Sequence, residues 1–180
     1  MNSPRLLGLL FALGVSGLAW GSLPSQTIAE LARASDRIVL ARVVDQRVNV
    51  PEGNVRQMTT ISRLEVLEEY RGQGPRSVEL VQLGGRSGLW ESHLAGDAKL
   101  TVGETALVFL RCPDAKAAAP CVLVGQGAGK QLVTQDAQGK RRVKVPEQVK
   151  GGAGERPLSE VLDEIRQATP PPAQQERGKG

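Results

Sequence analysis

One segment of the sequence contains the residue types that acid–base catalysis uses. His93 follows Glu91 by two positions, and Ser87 and Ser92 lie close to both in the chain. A carboxylate beside an imidazole orients and charges the ring, so this set could supply a general base and a hydroxyl nucleophile. Neither serine, however, stands in a Gly-x-Ser-x-Gly nucleophile elbow. We therefore predict that the protein is not an enzyme, and a Ser/His hydrolase using His93 is the weaker alternative.

The same segment also has the composition of a partner-binding surface. The chain contains only two Trp, two Phe and one Tyr, and Trp90 is the aromatic residue that a core explains least, because Tyr70 and Phe109 lie in predicted strands. Tryptophan and arginine are enriched among residues that dominate the binding energy of interfaces. The alternative is that Trp90 caps one end of the fold while the histidine lies in a solvated loop. The predicted partner-binding residues are Arg86, Trp90, Glu91 and His93.

A basic cluster forms a second candidate surface. It consists of Lys140, Arg141, Arg142 and Lys144, in a chain with a formal net charge of +4. Such a cluster could face an anionic cell-envelope polymer, although a solvated charged face is the simpler explanation. Nucleic acid is disfavoured as a partner, because base stacking needs aromatic side chains on the strands and few are present.

No cofactor or metal site is expected from the sequence. One His and two Cys are too few for a typical zinc site without help from carboxylates. The alternating glycines before Lys130 lack the Ser or Thr that follows the lysine of a phosphate-binding loop, and a strand-like run comes next. We interpret this glycine-rich segment as a tight turn.

Residues 1–21 have the pattern of a secretory signal peptide. An apolar run follows Arg5, the only charge of the segment, and Ala19 and Gly21 supply small residues before a cleavage site. The run is shorter than the roughly 20 residues that a membrane-spanning helix needs, so an uncleaved anchor is the less favoured alternative. We predict cleavage before Ser22, export to the periplasm or the medium, and no stable membrane span after removal of the leader.

Export determines the redox environment of the two cysteines. An oxidising compartment favours a disulfide between Cys112 and Cys121. Their spacing is far from Cys-x-x-Cys, so we expect a structural bond rather than a redox-active pair. Closing a loop of about ten residues contributes roughly 2–3 kcal/mol by the chain-entropy estimate.

Two helices and many short strands are predicted. Thr27 and Glu30 have the spacing of a capping box and predict a short helix that ends near Ser35. Apolar residues at helical spacing predict an amphipathic helix around residues 158–165. The predicted strands are residues 37–48, 58–70, 77–83, 97–100, 105–111, 122–125, 130–134 and 140–145. Residues 84–96 are predicted to form an irregular loop, and a break in the alternation before Leu64 predicts a bulge near Ser62 and Arg63.

This pattern favours a mainly β fold: a small OB-like β-barrel with a short N-terminal helix and a C-terminal amphipathic helix. The predicted boundaries are the barrel domain with its leading helix at residues 22–150, and a linker followed by the amphipathic helix at residues 151–168. Residues 169–180 carry three prolines and no apolar anchor beyond alanine, and are predicted to be disordered.

Five stretches between Asp36 and Val133 resemble a group of uncharacterised exported bacterial proteins. They are residues 35–43, 64–72, 83–85, 100–110 and 124–127. Their order is also similar to that of netrin-type modules, including the amino-terminal domain of tissue inhibitors of metalloproteinases. This resemblance implies an exported five-stranded OB barrel, in which the segment from Gly103 to Leu107 looks like a hairpin entry. Because those inhibitors chelate the protease zinc through an amino-terminal cysteine, and no cysteine precedes Cys112 here, their mechanism does not carry over.

The function expected from the sequence is that of an exported, non-catalytic binding module. A scaffold alone does not determine a function, so the prediction depends on the two candidate surfaces. A protein or an anionic cell-envelope polymer is the expected partner. The alternative is a secreted protein that inhibits a protease through a surface loop.

Overall fold

The computed structural model describes residues 25–113, 119–151 and 153–168. The predicted signal peptide (residues 1–21) and the predicted disordered tail (residues 169–180) lie outside the described residues. Helix α1 covers Ile28–Ala34 and begins at the predicted capping box. The Thr27 hydroxyl accepts a hydrogen bond from the Glu30 backbone amide at 3.1 Å, and the Glu30 carboxylate accepts one from the Thr27 amide at 2.7 Å. Two amides that the helix leaves without partners are therefore satisfied reciprocally.

The described part of the chain contains nine strands in one antiparallel sheet, and a second helix, α2 (Leu158–Ala168). The order across the sheet is β4-β3-β2-β1-β5-β7-β8-β9, and β6 pairs with β5. The mainly β class with two helices is thus confirmed. The strands are β1 (Arg37–Asn49), β2 (Thr59–Arg71), β3 (Ser77–Ser87), β4 (Trp90–His93), β5 (Thr105–Arg111), β6 (Val122–Leu123), β7 (Lys130–Gln135), β8 (Arg141–Val145) and β9 (Gly154–Pro157).

Strands β1 and β5 lie at the centre, and β5 and the first five residues of β1 are buried on both faces. Residues 106–110 of β5 are all buried, which is why this strand reads as a continuous apolar run rather than an alternating one. On one face, Ile38 and Phe109 pack with the apolar stripes of both helices. On the other face, Val39 and Val108 pack with residues of β2 and β3.

The sheet is not closed by a continuous ladder, so the predicted barrel is not confirmed. Strand β3 nevertheless approaches β6 from the far side. Leu80 forms an isolated parallel bridge with Cys121, in which the Val81 amide donates to the Cys121 carbonyl at 2.9 Å and the Cys121 amide donates to the Glu79 carbonyl at 2.7 Å. Cys121 is joined to Cys112 by a disulfide, as predicted.

Three local predictions were wrong. Residues 84–96 are not an irregular loop: β3 continues to Ser87 and turns into β4. Residues 97–100 form no strand. Side chains occupy their backbone groups instead: the Asp97 carboxylate accepts from the Ala98 amide, and glutamine side chains donate to the Ala98 and Leu100 carbonyls. The ladder between β1 and β2 has three register breaks, and the one opposite Arg63 and Leu64 has its extra residue, Val44, in β1 rather than in β2.

Candidate functional site

The end of β3 and strand β4 form a projecting hairpin, residues 84–93, which we call the hairpin arm. The ladder between β2 and β3 ends at the pair Thr59–Leu83. Beyond it, in the part of the chain that the structure describes, the arm forms a ladder only between its own two strands, from Gly84 opposite His93 to Ser87 opposite Trp90, and Gly84 alone is hydrogen-bonded to β2 and the residue before it. All four residues of β4 are exposed, and β4 is the outermost strand of the sheet. The arm therefore extends past the sheet into solvent.

Two glycines shape the arm. Gly88 has a φ of 59° and begins the two-residue connection to Trp90; glycine at this position is typical of a tight hairpin turn. Gly84 has a φ of 89°, and a Cβ atom there would lie 2.2 Å from the Ser92 carbonyl oxygen. Only glycine thus allows the two strands to approach at the base. The Gly84 amide also donates to the Met58 carbonyl at 2.8 Å, which fixes the base to the sheet.

The arm places the four predicted binding residues on two faces. Arg86 is paired with Glu91 across the hairpin, and His93 follows Glu91 by two residues, so these three side chains share one face. Trp90 and its partner Ser87 lie on the opposite face. The predicted set of four is therefore not one patch but a charged face and an aromatic face.

On the charged face, the only histidine of the chain is paired with a carboxylate. His93 Nε2 lies 2.7 Å from Glu91 Oε1, and both side chains are more than half exposed. The hydrogen bond from His93, followed by the charges of His93, Arg86 and Lys99, holds the pKa of Glu91 below its ordinary value. His93 contacts the carboxylate rather than a serine hydroxyl, so the elements of a nucleophile–base pair are not brought together.

Two large apolar side chains are left in solvent at the tip of the arm. Trp90, on the aromatic face, is 64 % exposed, and Leu89, in the turn, is fully exposed. Isolated apolar residues are common on surfaces, but these two are consecutive residues at the end of an edge hairpin, where a partner can cover both. Tryptophan buries a large area when a partner covers it.

At the base of the arm, on the side of His93, lies a cavity of about 390 Å³. Its lining comes from four parts of the chain: the end of β1, Thr60 of β2, the end of β3 with the arm, and residues 94 and 97–100. Val48, Leu83 and Leu94 supply apolar surface, and Arg86 and Lys99 supply positive charge. Sequence reasoning missed this cavity because its residues are far apart in the chain and none belongs to a motif.

The basic cluster is divided by the strand that carries it. Strand β8 alternates, so Arg141 lies on one side of the sheet with buried Val143, and Arg142 and Lys144 lie on the other. Arg141 forms an ion pair with Glu68, and Arg142 donates to the Glu155 carbonyl at 3.3 Å. Lys140 precedes the strand. The four charges are therefore not gathered on one face.

The ion pair with Arg141 also influences the pKa values of two residues of β2, Glu68 and Tyr70. The hydrogen bond from Arg141 is the main cause that lowers the pKa of Glu68. Glu68 in turn accepts a hydrogen bond from the Tyr70 hydroxyl at 2.9 Å. Burial, followed by this hydrogen bond to a carboxylate, raises the pKa of Tyr70 to about 12. Arg141 thus has a structural partner within the fold.

The glycine-rich segment before Lys130 is a turn, as predicted. Gly125 has a φ of 69° and precedes a 3₁₀ turn at Gln126–Gly129, which leads directly into β7. The Lys130 ammonium is held by Glu104 at 2.7 Å. This arrangement lacks the helix that a phosphate-binding loop would place after its glycines.

Among the described residues, no group of three or more His, Cys, Asp or Glu side chains is placed to hold a metal ion. Neither of the two helices that the structure describes has the length and apolar character that crossing a membrane requires. No protein-family model matches the chain, and no curated protein matches it either.

Proposed function

We propose that the protein is an exported, non-catalytic binding module that recognises a partner protein through its hairpin arm. The observation that carries this proposal is the exposure of Leu89 and Trp90 at the tip of an arm whose ladder joins only its own two strands. Exposed apolar side chains gain free energy when a partner removes them from water, at about 25 cal/mol per Å² of apolar area. Tryptophans in this position are frequent anchors of interfaces.

The arrangement of the charged face supports a binding role over a hydrolytic one. His93 is exposed and directed to Glu91, and the hydroxyls of Ser87 and Ser92 are not its partners. An exposed ion pair at the rim of an interface contributes mainly to specificity and to the rate of association. The charged face would therefore orient a partner that the aromatic face anchors.

The division of the basic cluster favours a protein over an anionic polymer as partner. A polymer would need several cations on one face to neutralise its charges together. Two of the four, Arg141 and Arg142, instead have partners within the fold. The cluster on β8 is then a solvated part of the sheet.

The finer fold proposal is an OB-like barrel made of β1, β2, β3, β6 and β5. It is supported by the parallel bridge between Leu80 and Cys121, which brings the two ends of this five-strand segment together. A parallel contact between β3 and the start of β6 would close such a barrel. The resemblance to netrin-type modules is consistent with this arrangement and remains part of the proposal. Export is supported by the disulfide, because such bonds persist in oxidising compartments.

Site-specific photo-crosslinking in the native host tests the proposed function. A photo-reactive amino acid replaces Trp90 at the tip or, as control, Leu67, an exposed apolar residue of β2 away from the arm. We expect one defined polypeptide to be crosslinked from the Trp90 position and not from the Leu67 position. The same products from both positions, or none from the Trp90 position, would contradict the proposal.

A further inference from the structure

The cavity at the base of the hairpin arm combines exposed apolar surface with unpaired positive charge. Leu83 is 63 % exposed, Leu94 is 41 % exposed and Val48 is 40 % exposed, and all three line this one cavity. Apolar side chains that converge on one concavity, with a few polar groups beside them, are typical of a ligand site. The apolar part of the cavity suits an aliphatic group.

Among the described residues, three charged side chains of the lining form no ion pair: Arg86 and Lys99 are positive and Asp97 is negative, so positive charge is in excess. Asp97 Oδ1 accepts from the Ala98 amide at 2.8 Å, and Glu91 is paired with His93. A guanidinium and an ammonium beside apolar surface would complement a carboxylate, which forms charge-assisted hydrogen bonds with both.

Two amide side chains in the lining have their nitrogens engaged in hydrogen bonds within the fold. The Gln46 amide nitrogen donates to the Ser62 hydroxyl at 2.9 Å and to the Leu100 carbonyl at 3.3 Å. The Gln82 amide nitrogen donates to the Ala98 carbonyl at 2.7 Å. With their nitrogens engaged, these two side chains present carbonyl oxygens, which accept hydrogen bonds from N–H donors.

We propose that this cavity binds the carboxyl terminus of a polypeptide whose last residue is aliphatic. The terminal carboxylate would contact Arg86 and Lys99, and the last side chain would lie against Val48 and Leu94. Backbone N–H groups of the peptide would donate to the Gln46 and Gln82 oxygens. A fatty acid shares the aliphatic carboxylate but has no N–H donor for these acceptors, so the peptide fits the lining better. The inference rests on the proposed function, because the bound polypeptide is the carboxyl-terminal segment of the proposed protein partner.

Fluorescence anisotropy with synthetic probes tests the inference on the full mature chain. The probe is an amino-terminally labelled hexapeptide that ends in valine and leucine with a free carboxylate. Its carboxyl-terminal amide and unlabelled decanoate serve as comparisons. We expect the free acid to bind about tenfold or more tightly than the amide, because the amide loses the charge-assisted contacts. Decanoate is expected to compete poorly.

Four variants locate the site. Arg86→Gln and Lys99→Gln are each expected to weaken binding of the free acid by about tenfold and to reduce its advantage over the amide. Arg63→Gln removes an exposed arginine outside the cavity and is the matched control. Leu67→Ala changes an exposed apolar residue of β2 away from the arm and is expected to leave peptide binding unchanged.

Each outcome decides the inference separately from the proposed function. Equal binding of acid and amide, binding of decanoate alone, or no binding overturns the inference, and crosslinking from the Trp90 position would still support the proposed function. If the free acid binds more tightly than the amide and Arg86→Gln removes that binding, the inference is supported, whatever the crosslinking experiment shows. A loss of binding in Arg63→Gln equal to that in Arg86→Gln would overturn the assignment to this cavity.

Discussion

The two aromatic residues Phe109 and Trp90 are predicted to have opposite roles, and alanine substitutions separate them. Phe109 is 0 % exposed on central strand β5 and packs between the sheet and both helices. Its truncation removes a fully buried ring and leaves a cavity, which costs about 3–5 kcal/mol in the free energy of unfolding. Trp90 is 64 % exposed at the tip of the arm, and its truncation is expected to change that free energy by about 0.5 kcal/mol or less.

Urea denaturation followed by far-ultraviolet circular dichroism measures both values on the mature chain. The signal from nine strands and two helices reports the whole fold rather than the environment of either ring. If Phe109→Ala does not fold, Phe109→Leu provides a smaller truncation at the same position, with an intermediate loss expected. The reasoning would be refuted if Trp90→Ala destabilised the fold as much as the Phe109 variants, since Trp90 would then be a core residue.

Two further predictions concern the disulfide and the single tyrosine. Replacing Cys112 and Cys121 together by serine should lower the free energy of unfolding by about 2–3 kcal/mol, and a reductant should lower that of the wild type equally; a reductant with no effect would contradict a structural bond. Because the chain has one tyrosine, phenolate absorbance reports Tyr70 alone and should titrate near pH 12 in the folded protein. The neutral phenol is favoured by folding, so its contribution to stability is present below the unfolded pKa of about 10 and is lost as the pH rises towards 12. Glu68→Gln should lower the midpoint, and an unchanged midpoint would show that the carboxylate does not contribute.

The central elements of the fold could be predicted from the sequence because their signals are local. The apolar run of β5 and the stripe of α2 are where the pattern placed them. The capping box predicted the start of α1 for the same reason, since Thr27 and Glu30 satisfy each other's amides within one turn. The closure of a barrel could not be tested in this way, because it depends on contact between β3 and Cys121, which are far apart in the chain.

The hairpin arm shows why the candidate site was predicted only in part. Composition indicates Trp90 and His93, but the strands of the arm are short and polar and lack an apolar face, so the pattern predicts an irregular loop there. The signal that could have revealed it is Gly88 at the head of a two-residue connection. Once the hairpin is known, its alternation separates Trp90 from Arg86, Glu91 and His93. The cavity beside it depends on Val48 and Lys99, which only the folded chain brings to the arm.

The most direct test of the central claim is the affinity of the crosslinked partner for Trp90→Ala relative to the wild type. A truncated anchor at the centre of an interface costs about 2 kcal/mol or more, which is roughly a thirtyfold loss of affinity. We predict at least this loss for Trp90→Ala and an unchanged affinity for Leu67→Ala. Equal affinities of Trp90→Ala and the wild type would contradict the claim that the hairpin arm is the binding surface.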